Sequence, residues 1–380
     1  MRGFTLIELM VASTLGLLLL AALGAVFLAT SRSYRENDLI AGMQDQARFA
    51  MFTLSRDLAM TGYWGGMLGT DNLIPNLDDL DPGNDVTSAT QALAPAMDCG
   101  PTGEAWSFSW RTALEFRNHD SGDAISSLWN CIGEHRAGTD AFAIRHVSGQ
   151  ETGRMELGDS EVRLRPYHFY LQTNATVGTL MRWGLAALDA PDALNQPNTA
   201  PMRFHRYFPR IYYVRDHALT PGDGVPALCR KELCPSGFDP GDGSESASCG
   251  EAGSAAGELG YFSECIAEGI EDLQIVWGLD SPDDSDNIVD RYVADPSAEE
   301  LATQARSAQI HLLVRSRRSD GQHLDEKTYQ LADKPPYTPI SIVDDAGTPA
   351  DRQTRHFYRR VYSTTVQLRN LGIQGEGPSP

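Results

Sequence analysis

The chain has 380 residues, 41% of them hydrophobic, with 51 acidic against 31 basic side chains and a formal net charge of −20. That apolar fraction supports a sizeable core. The acidic balance argues against direct nucleic-acid binding, which relies on clustered Lys and Arg facing phosphates. The nearest basic run, Arg315, Arg317 and Arg318, reads as a solvated strand end. The length exceeds one ordinary domain, but an apolar anchor and long loops absorb part of it, leaving one elaborated globular domain.

From Leu9 to Ser31 no residue is charged, a length sufficient to cross a hydrocarbon core of ~30 Å as a helix. Glu8 stands at the mouth of this run, where an ionisable group is costly and calls for a partner of opposite charge. A cleaved secretory signal has a shorter apolar core and no use for Glu8. A plain signal anchor, oriented by Arg2, accounts for the length but gives Glu8 no meaning. Beyond the apolar run the helical period persists: Ile40, Met43, Ala47, Ala50, Leu54 and Leu58 recur at three and four residues, one buried face. Arg48, Arg56 and Asp57 read as decorating the other faces. No Pro precedes position 75 and Gly62 offers a stop, so a single helix of ~87 Å from Phe4 to Thr61 is predicted.

Residues 69–103, rich in Asp, Asn, Pro and Gly, read as a long loop. Short apolar and aromatic runs at 106–116, 140–147 and 167–171 read as strands. At 204–214 Tyr207, Ile211 and Tyr213 fall on one alternation, and Pro209 suggests an edge or a kink. Residues 221–260, dominated by Gly, Ser, Pro and acids, read as loop. Strands follow at 270–279, around Ile310, Leu312 and Val314, and at 361–368. Between them a short helix at 297–305 carries Ser297 and Glu300 in capping-box spacing.

Six cysteines follow the anchor: Cys99, Cys131, Cys229, Cys234, Cys249 and Cys265. An even number outside the cytoplasm reads as disulfides, which restrain long loops. Sequence alone does not choose the connectivity; the pairing by neighbourhood is Cys99 with Cys131, Cys229 with Cys234, and Cys249 with Cys265. A zinc site at Cys229 and Cys234 lacks accompanying His ligands. The acidic loop with Asp280, Asp284, Asp286 and Asp290 could offer hard oxygen ligands to calcium, but it lacks the Gly and terminal Glu of an EF-hand, and a solvated loop explains it as well. No other cofactor is suggested. There is no phosphate-binding Gly-rich loop with Lys, no His-Glu-x-x-His helix and no Gly-x-Ser-x-Gly elbow, so nothing in the sequence points to an enzyme.

The stretch Gly3-Phe4-Thr5-Leu6-Ile7-Glu8 resembles the processing site of type IV pilins and pseudopilins. The resemblance implies that a prepilin peptidase cuts after Gly3 and methylates the new N-terminal Phe4. It also implies that Glu8 pairs with the Phe4 amine of a neighbouring subunit, the opposite charge a buried carboxylate needs. Arg56-Asp57-Leu58, Gly62-Tyr63 and the ending Leu368-Arg369-Asn370 further resemble PilW-like minor pilins. Gly65-Gly66 stands where many relatives carry a Cys, so no disulfide pattern transfers.

The fold implied is α+β: a long N-terminal helix, transmembrane in its first half, packed on an antiparallel β-sheet domain with long disulfide-stapled loops. The division implied is a leader at 1–3, an assembly helix at 4–31, an amphipathic helix at 32–62 and a periplasmic domain at 63–380, with loops at 69–103 and 221–265. Expected partners are the inner membrane, the prepilin peptidase, other minor pilins, the major pilin and a tip adhesin; the expected role is priming of pilus assembly. Two alternatives stand beside it, a pseudopilin of a type II secretion system and a membrane-anchored periplasmic enzyme or binding protein.

Overall fold

One helix, α1 (Leu6–Met60), runs unbroken for 55 residues, about 82 Å at 1.5 Å per residue. The structure, a computed structural model, describes residues 5–75, 99–100, 106–119, 125–155, 164, 168–182, 202–234, 260–282, 286–339 and 355–371. The helix stops where predicted. Thr61 leaves helical geometry, and Gly62 takes a φ of +75°, a conformation that only glycine adopts without strain. Its N–H donates to the Arg145 carbonyl at 3.0 Å, and a Cβ there would sit 3.1 Å from the Asn370 carbonyl oxygen.

Thirteen strands follow among the described residues. They are β1 (Leu73–Pro75), β2 (Leu114–Arg117), β3 (Ala141–Val147), β4 (Gly153–Met155), β5 (Phe169–Thr173), β6 (Gly178–Arg182), β7 (Met202–Arg215), β8 (Ala227–Cys234), β9 (Gly260–Glu268), β10 (Ile270–Leu279), β11 (Arg291–Val293), β12 (Ala305–Arg315) and β13 (Arg359–Gln367). Nine form one sheet around β7, in the order β1-β6-β5-β7-β3-β2, with β4 also on β7 and β8 joining β7 to β9. The other four order as β11-β10-β12-β13. Every pairing is antiparallel except β1 with β6. Between β11 and β12 lies α2 (Ala298–Gln304), whose capping box forms as the sequence predicts, with Ser297 N–H on Glu300 Oε2 at 2.9 Å and Glu300 N–H on Ser297 Oγ at 3.2 Å.

Two cores result. In the first, Met43, Ala47, Ala50, Leu54 and Leu58 of α1 meet inward side chains of both sheets, among them Phe142, Tyr212, Ile275, Leu312 and Val366. The alanines matter because small side chains let the helix backbone approach the sheets closely. The second core lies on the other face of the large sheet, around Trp64, Trp106, Phe108 and Trp129. Strand β7 feeds both by its period of two. Tyr207, Ile211 and Tyr213 face the second core while Tyr212 and Val214 face the first.

Pro209 sits in the middle of β7, the central strand rather than an edge. It pairs with Arg145 of β3 on one side. On the other side, β5 pairs as far as Arg206 and β8 begins at Arg210. The residue that cannot donate a ladder hydrogen bond therefore lies in the gap between two neighbours.

The run at 106–116 is not one strand. Trp106–Phe108 form a 3-10 turn and only Leu114–Arg117 are extended. The aromatics are spent on packing: the Arg145 guanidinium lies 4.3 Å from the centre of the Trp106 ring and donates to the Trp106 carbonyl. Within the loop predicted at 221–260, β8 is a strand, hydrogen-bonded on both edges. Arg315 is buried rather than solvated, against the Phe357 ring at 4.1 Å and near Glu271, whereas Arg317 and Arg318 are exposed.

The disulfides correct the predicted pairing. Cys99 bonds Cys131 as expected, but Cys229 bonds Cys265, replacing both Cys229–Cys234 and Cys249–Cys265. Cys229 and Cys234 lie on one strand, five positions apart, which sets their backbones about 16 Å from each other, far beyond disulfide reach. Cys265 lies directly across the ladder from Cys229. Cys249 falls outside the described residues.

Asp140, just before β3, ties the two sheets. Its backbone N–H donates to the Leu273 carbonyl at 2.9 Å, and its carboxylate accepts from the N–H groups of Ile275 at 2.7 Å and His119 at 2.9 Å. Burial pushes this carboxyl up to about 6 against those hydrogen bonds. Asp140→Ala strands two buried donors, each worth roughly 1–3 kcal/mol. Urea unfolding of the detergent-purified full chain is expected to show a loss of about 3 kcal/mol, and an unchanged midpoint would contradict the tie.

Candidate assembly site

No residue in the N-terminal half of α1 is buried, and α1 alone among the described helices is long and apolar enough to cross a membrane. Two of its hydroxyls are satisfied within the helix. Ser13 Oγ donates to the Met10 carbonyl at 3.0 Å and Thr14 Oγ1 to the Val11 carbonyl at 2.9 Å, as a bilayer interior requires. The helix opens with a capping box: Thr5 N–H and Oγ1 both donate to Glu8 Oε2 at 2.9 Å, and Glu8 N–H donates to Thr5 Oγ1 at 3.3 Å. Glu8 therefore accepts from the Thr5 N–H, an otherwise orphan donor at the helix start, a use the sequence reading missed although the Thr5–Glu8 spacing is that of a capping box. Gly3 and Phe4 lie outside the described residues.

The second half of α1 is fixed by an ion cluster that the sequence reading missed. Asp57, read as solvated, is only 4% exposed. Its Oδ2 accepts from Arg210 Nη1 at 2.7 Å and Tyr212 Oη at 2.5 Å. Arg210 also pairs with Glu232 at 3.0 Å, and Arg230 bridges Glu232 and Glu264, so the cluster joins α1 to β7, β8 and β9. The signal was present in the spacing: Asp57 sits three residues beyond Leu54, on the edge of the buried stripe. Burial works against its charge, but Arg210 and its hydrogen bonds outweigh this and hold the carboxyl below its ordinary range. Burial likewise pushes the Tyr212 phenol up, aided by Asp57, so it remains a donor.

The segments at the two ends that carry the resemblance meet in space. Asn370 Nδ2 donates to the Ala59 carbonyl at 3.0 Å, while Leu368 and Leu371 join the core that holds Leu58. Arg56-Asp57-Leu58, Gly62 and Leu368-Arg369-Asn370 thus form one structural joint at the top of α1.

The acidic loop places its carboxylates in turn roles. Asp280 Oδ2 pairs with Arg306 at 3.0 Å and accepts from Asn287 N–H at 3.2 Å. Asp286 accepts from Ile288 N–H at 2.8 Å and Asp290 from Ser281 N–H at 2.7 Å. Asp284 lies outside the described residues, and among those described no three His, Cys, Asp or Glu side chains converge as metal ligands.

His146 lies beside the Asp57 cluster, its ring tilted against that of Phe208 at 5.5 Å between centroids, and faces Asp57, Arg210 and Glu232. Burial pushes it down to about 4 against the pull of Asp57. A lowered histidine is neutral when folded, so its contribution is intact above its unfolded value near 6.5 and is lost as pH falls toward 4. Asp140 acts in the opposite sense, since its raised carboxyl takes up a proton in the folded state. The difference between wild type and His146→Gln isolates the histidine: between pH 7 and pH 4 wild type is expected to lose about 2–3 kcal/mol more. Parallel pH profiles would contradict this. Asp57→Ala leaves Arg210 with Glu232 alone and is expected to cost about 3 kcal/mol in the same assay.

Comparison with known proteins matches each end of the chain. Residues 1–24 match the prokaryotic N-terminal methylation motif, and residues 211–370 match the type IV pilus-assembly protein W family, PilW. No curated protein and no solved structure matches. The PilW match runs from the middle of β7 through the whole four-stranded sheet to Asn370, and the methylation match covers the apolar start of α1. Together the two matches, one at each end, support a PilW-like type IV pilin.

Proposed function

We propose that this pilin is a minor subunit that helps prime pilus assembly at the tip, together with other minor pilins and the major pilin, and that it supports a tip adhesin. The observation that carries the reading is α1: an exposed apolar half continuous with a half bound to the sheets. Cleavage after Gly3 by the prepilin peptidase would create the N-terminal amine of Phe4, which is then methylated. The protein is held in the inner membrane by one span, with its C-terminal domain in the periplasm, until it is drawn into the fibre. Its role is structural, and no catalytic step is assigned to it.

Within a bundle of such helices the Glu8 carboxylate leaves water and needs a cation, which the Phe4 amine of a neighbour supplies. Thr5 holds that carboxylate in the first turn beforehand, so little reorientation is needed when a neighbour arrives. The test is Glu8→Ala in piliated cells. The variant is expected to insert in the membrane and to be processed, while its recovery in sheared pili falls by about a hundredfold, the scale of losing a buried pair. Recovery at the wild-type level would overturn the pairing.

A further inference from the structure

The segment that follows β12 leaves the small sheet beside the membrane end of α1. Arg317, Arg318 and Ser319 line one cleft with Arg35, Leu39 and Gly42 of the helix. Asp320 lies within electrostatic reach of Arg35, and His323 within reach of Glu36. Next along the chain, Leu324 is 58% exposed, although both of its neighbours are held. The His323 ring stacks on Tyr358 at 3.9 Å between centroids, and the His323 N–H donates to the Asp320 carbonyl at 2.9 Å. Asp325 is buried, its carboxylate accepting from Tyr329 Oη at 3.0 Å. A leucine held outward in this way gains wherever it meets an apolar environment.

We propose that Leu324, Arg317 and Arg318 seat the domain on the phospholipid surface from which α1 emerges, the leucine entering the headgroup layer and the two guanidinium groups meeting lipid phosphates. The proposal rests on the membrane-anchored reading given above. Three observations select this occupant. The first is height. Arg35 and Glu36, beside the loop, stand four and five residues beyond Ser31, where the uncharged run ends, about 6–8 Å along the helix; a headgroup layer is ~5–8 Å deep. The second is charge. In a chain of net charge −20 this loop exposes Arg317, Arg318 and Lys327 against Glu326 alone, because the Asp320 carboxylate is taken by the Gln322 N–H at 3.0 Å and Tyr358 Oη at 3.2 Å. On the adjoining turns of α1, Arg32 and Arg35 offset Glu36 and Asp38. Phosphates draw basic side chains at such a surface. The third is the fixed outward position of Leu324, which a bilayer meets without any refolding of the loop. The seat steadies the domain while the protein is stored in the membrane, and it has to break when α1 is drawn out.

The experiment places a photo-crosslinking amino acid at position 324 of the full-length chain, reconstituted in vesicles of phosphatidylethanolamine and phosphatidylglycerol, and reads phospholipid adducts by mass spectrometry. An adduct is expected at 324, as it is at position 19 within the span, where Leu19 is 66% exposed. None is expected at position 68, where Leu68 is 81% exposed on the loop after the far end of α1, about 44 Å beyond Ser31. Arg318→Glu is expected to lower the adduct at 324 about fivefold, while the adduct at 19 and the melting of the purified chain stay unchanged. The absence of a phospholipid adduct at 324, a product there joined only to a second copy of the chain, an equal yield at 68, or an unchanged yield in Arg318→Glu overturns the seat. If position 19 still joins lipid, the seat alone falls; if position 19 gives no adduct either, the membrane-anchored reading beneath it falls as well.

Discussion

The contact of Met43, Ala47, Ala50, Leu54 and Leu58 with two sheets at once is the constraint on which the rest of the architecture depends. One helix has to satisfy two environments along its length. In its first half all sides are apolar because lipid surrounds it; in its second half one stripe is apolar because only one side meets protein. The small residues of the stripe bring the helix axis close to the strands, and the large ones fill the trough between the sheets. A continuous helix then transmits the position of the membrane segment to the domain without a flexible joint.

Polar groups fix this packing in one register. Asp57 is held by Arg210 and Tyr212 from the central strand β7, while Gly62 and Ala59 are engaged by Arg145 and Asn370. Hydrophobic contact is non-directional and would tolerate a rotated or shifted helix; a buried carboxylate with two specific donors does not. Asp140 plays the corresponding part between the sheets, with hydrogen bonds to His119 just past β2 and to Leu273 and Ile275 of β10. The last residues of the PilW match therefore close onto the helix end, which accounts for why short patterns at positions 56–63 and 368–370 belong together.

Much of this was legible in the sequence because it rests on periodicity. The stripe from Met43 to Leu58, the stop at Gly62, the cap at Ser297 and Glu300, and the split of β7 with Tyr207, Ile211 and Tyr213 on one face all follow from local spacing. What escaped depends on distant partners. Asp57 looked solvated because Arg210 is 153 residues away, and Cys229 was matched to a near neighbour because its true partner is set by strand register. The Gly and Pro content of 221–260 concealed β8, whose edges are both hydrogen-bonded by other strands. Pro209 read as an edge marker, and the gap between β5 and β8 beside it explains how a central strand tolerates it.

The central claim is that α1 is an assembly device and not merely an anchor, and this depends on what happens at its first residues. The most direct measurement is the intact mass and N-terminal sequence of the native protein recovered from membranes and pili. The account predicts a chain that begins at Phe4 with a methylated amine. A chain that retains Met1 would contradict it and leave α1 as a simple membrane tether.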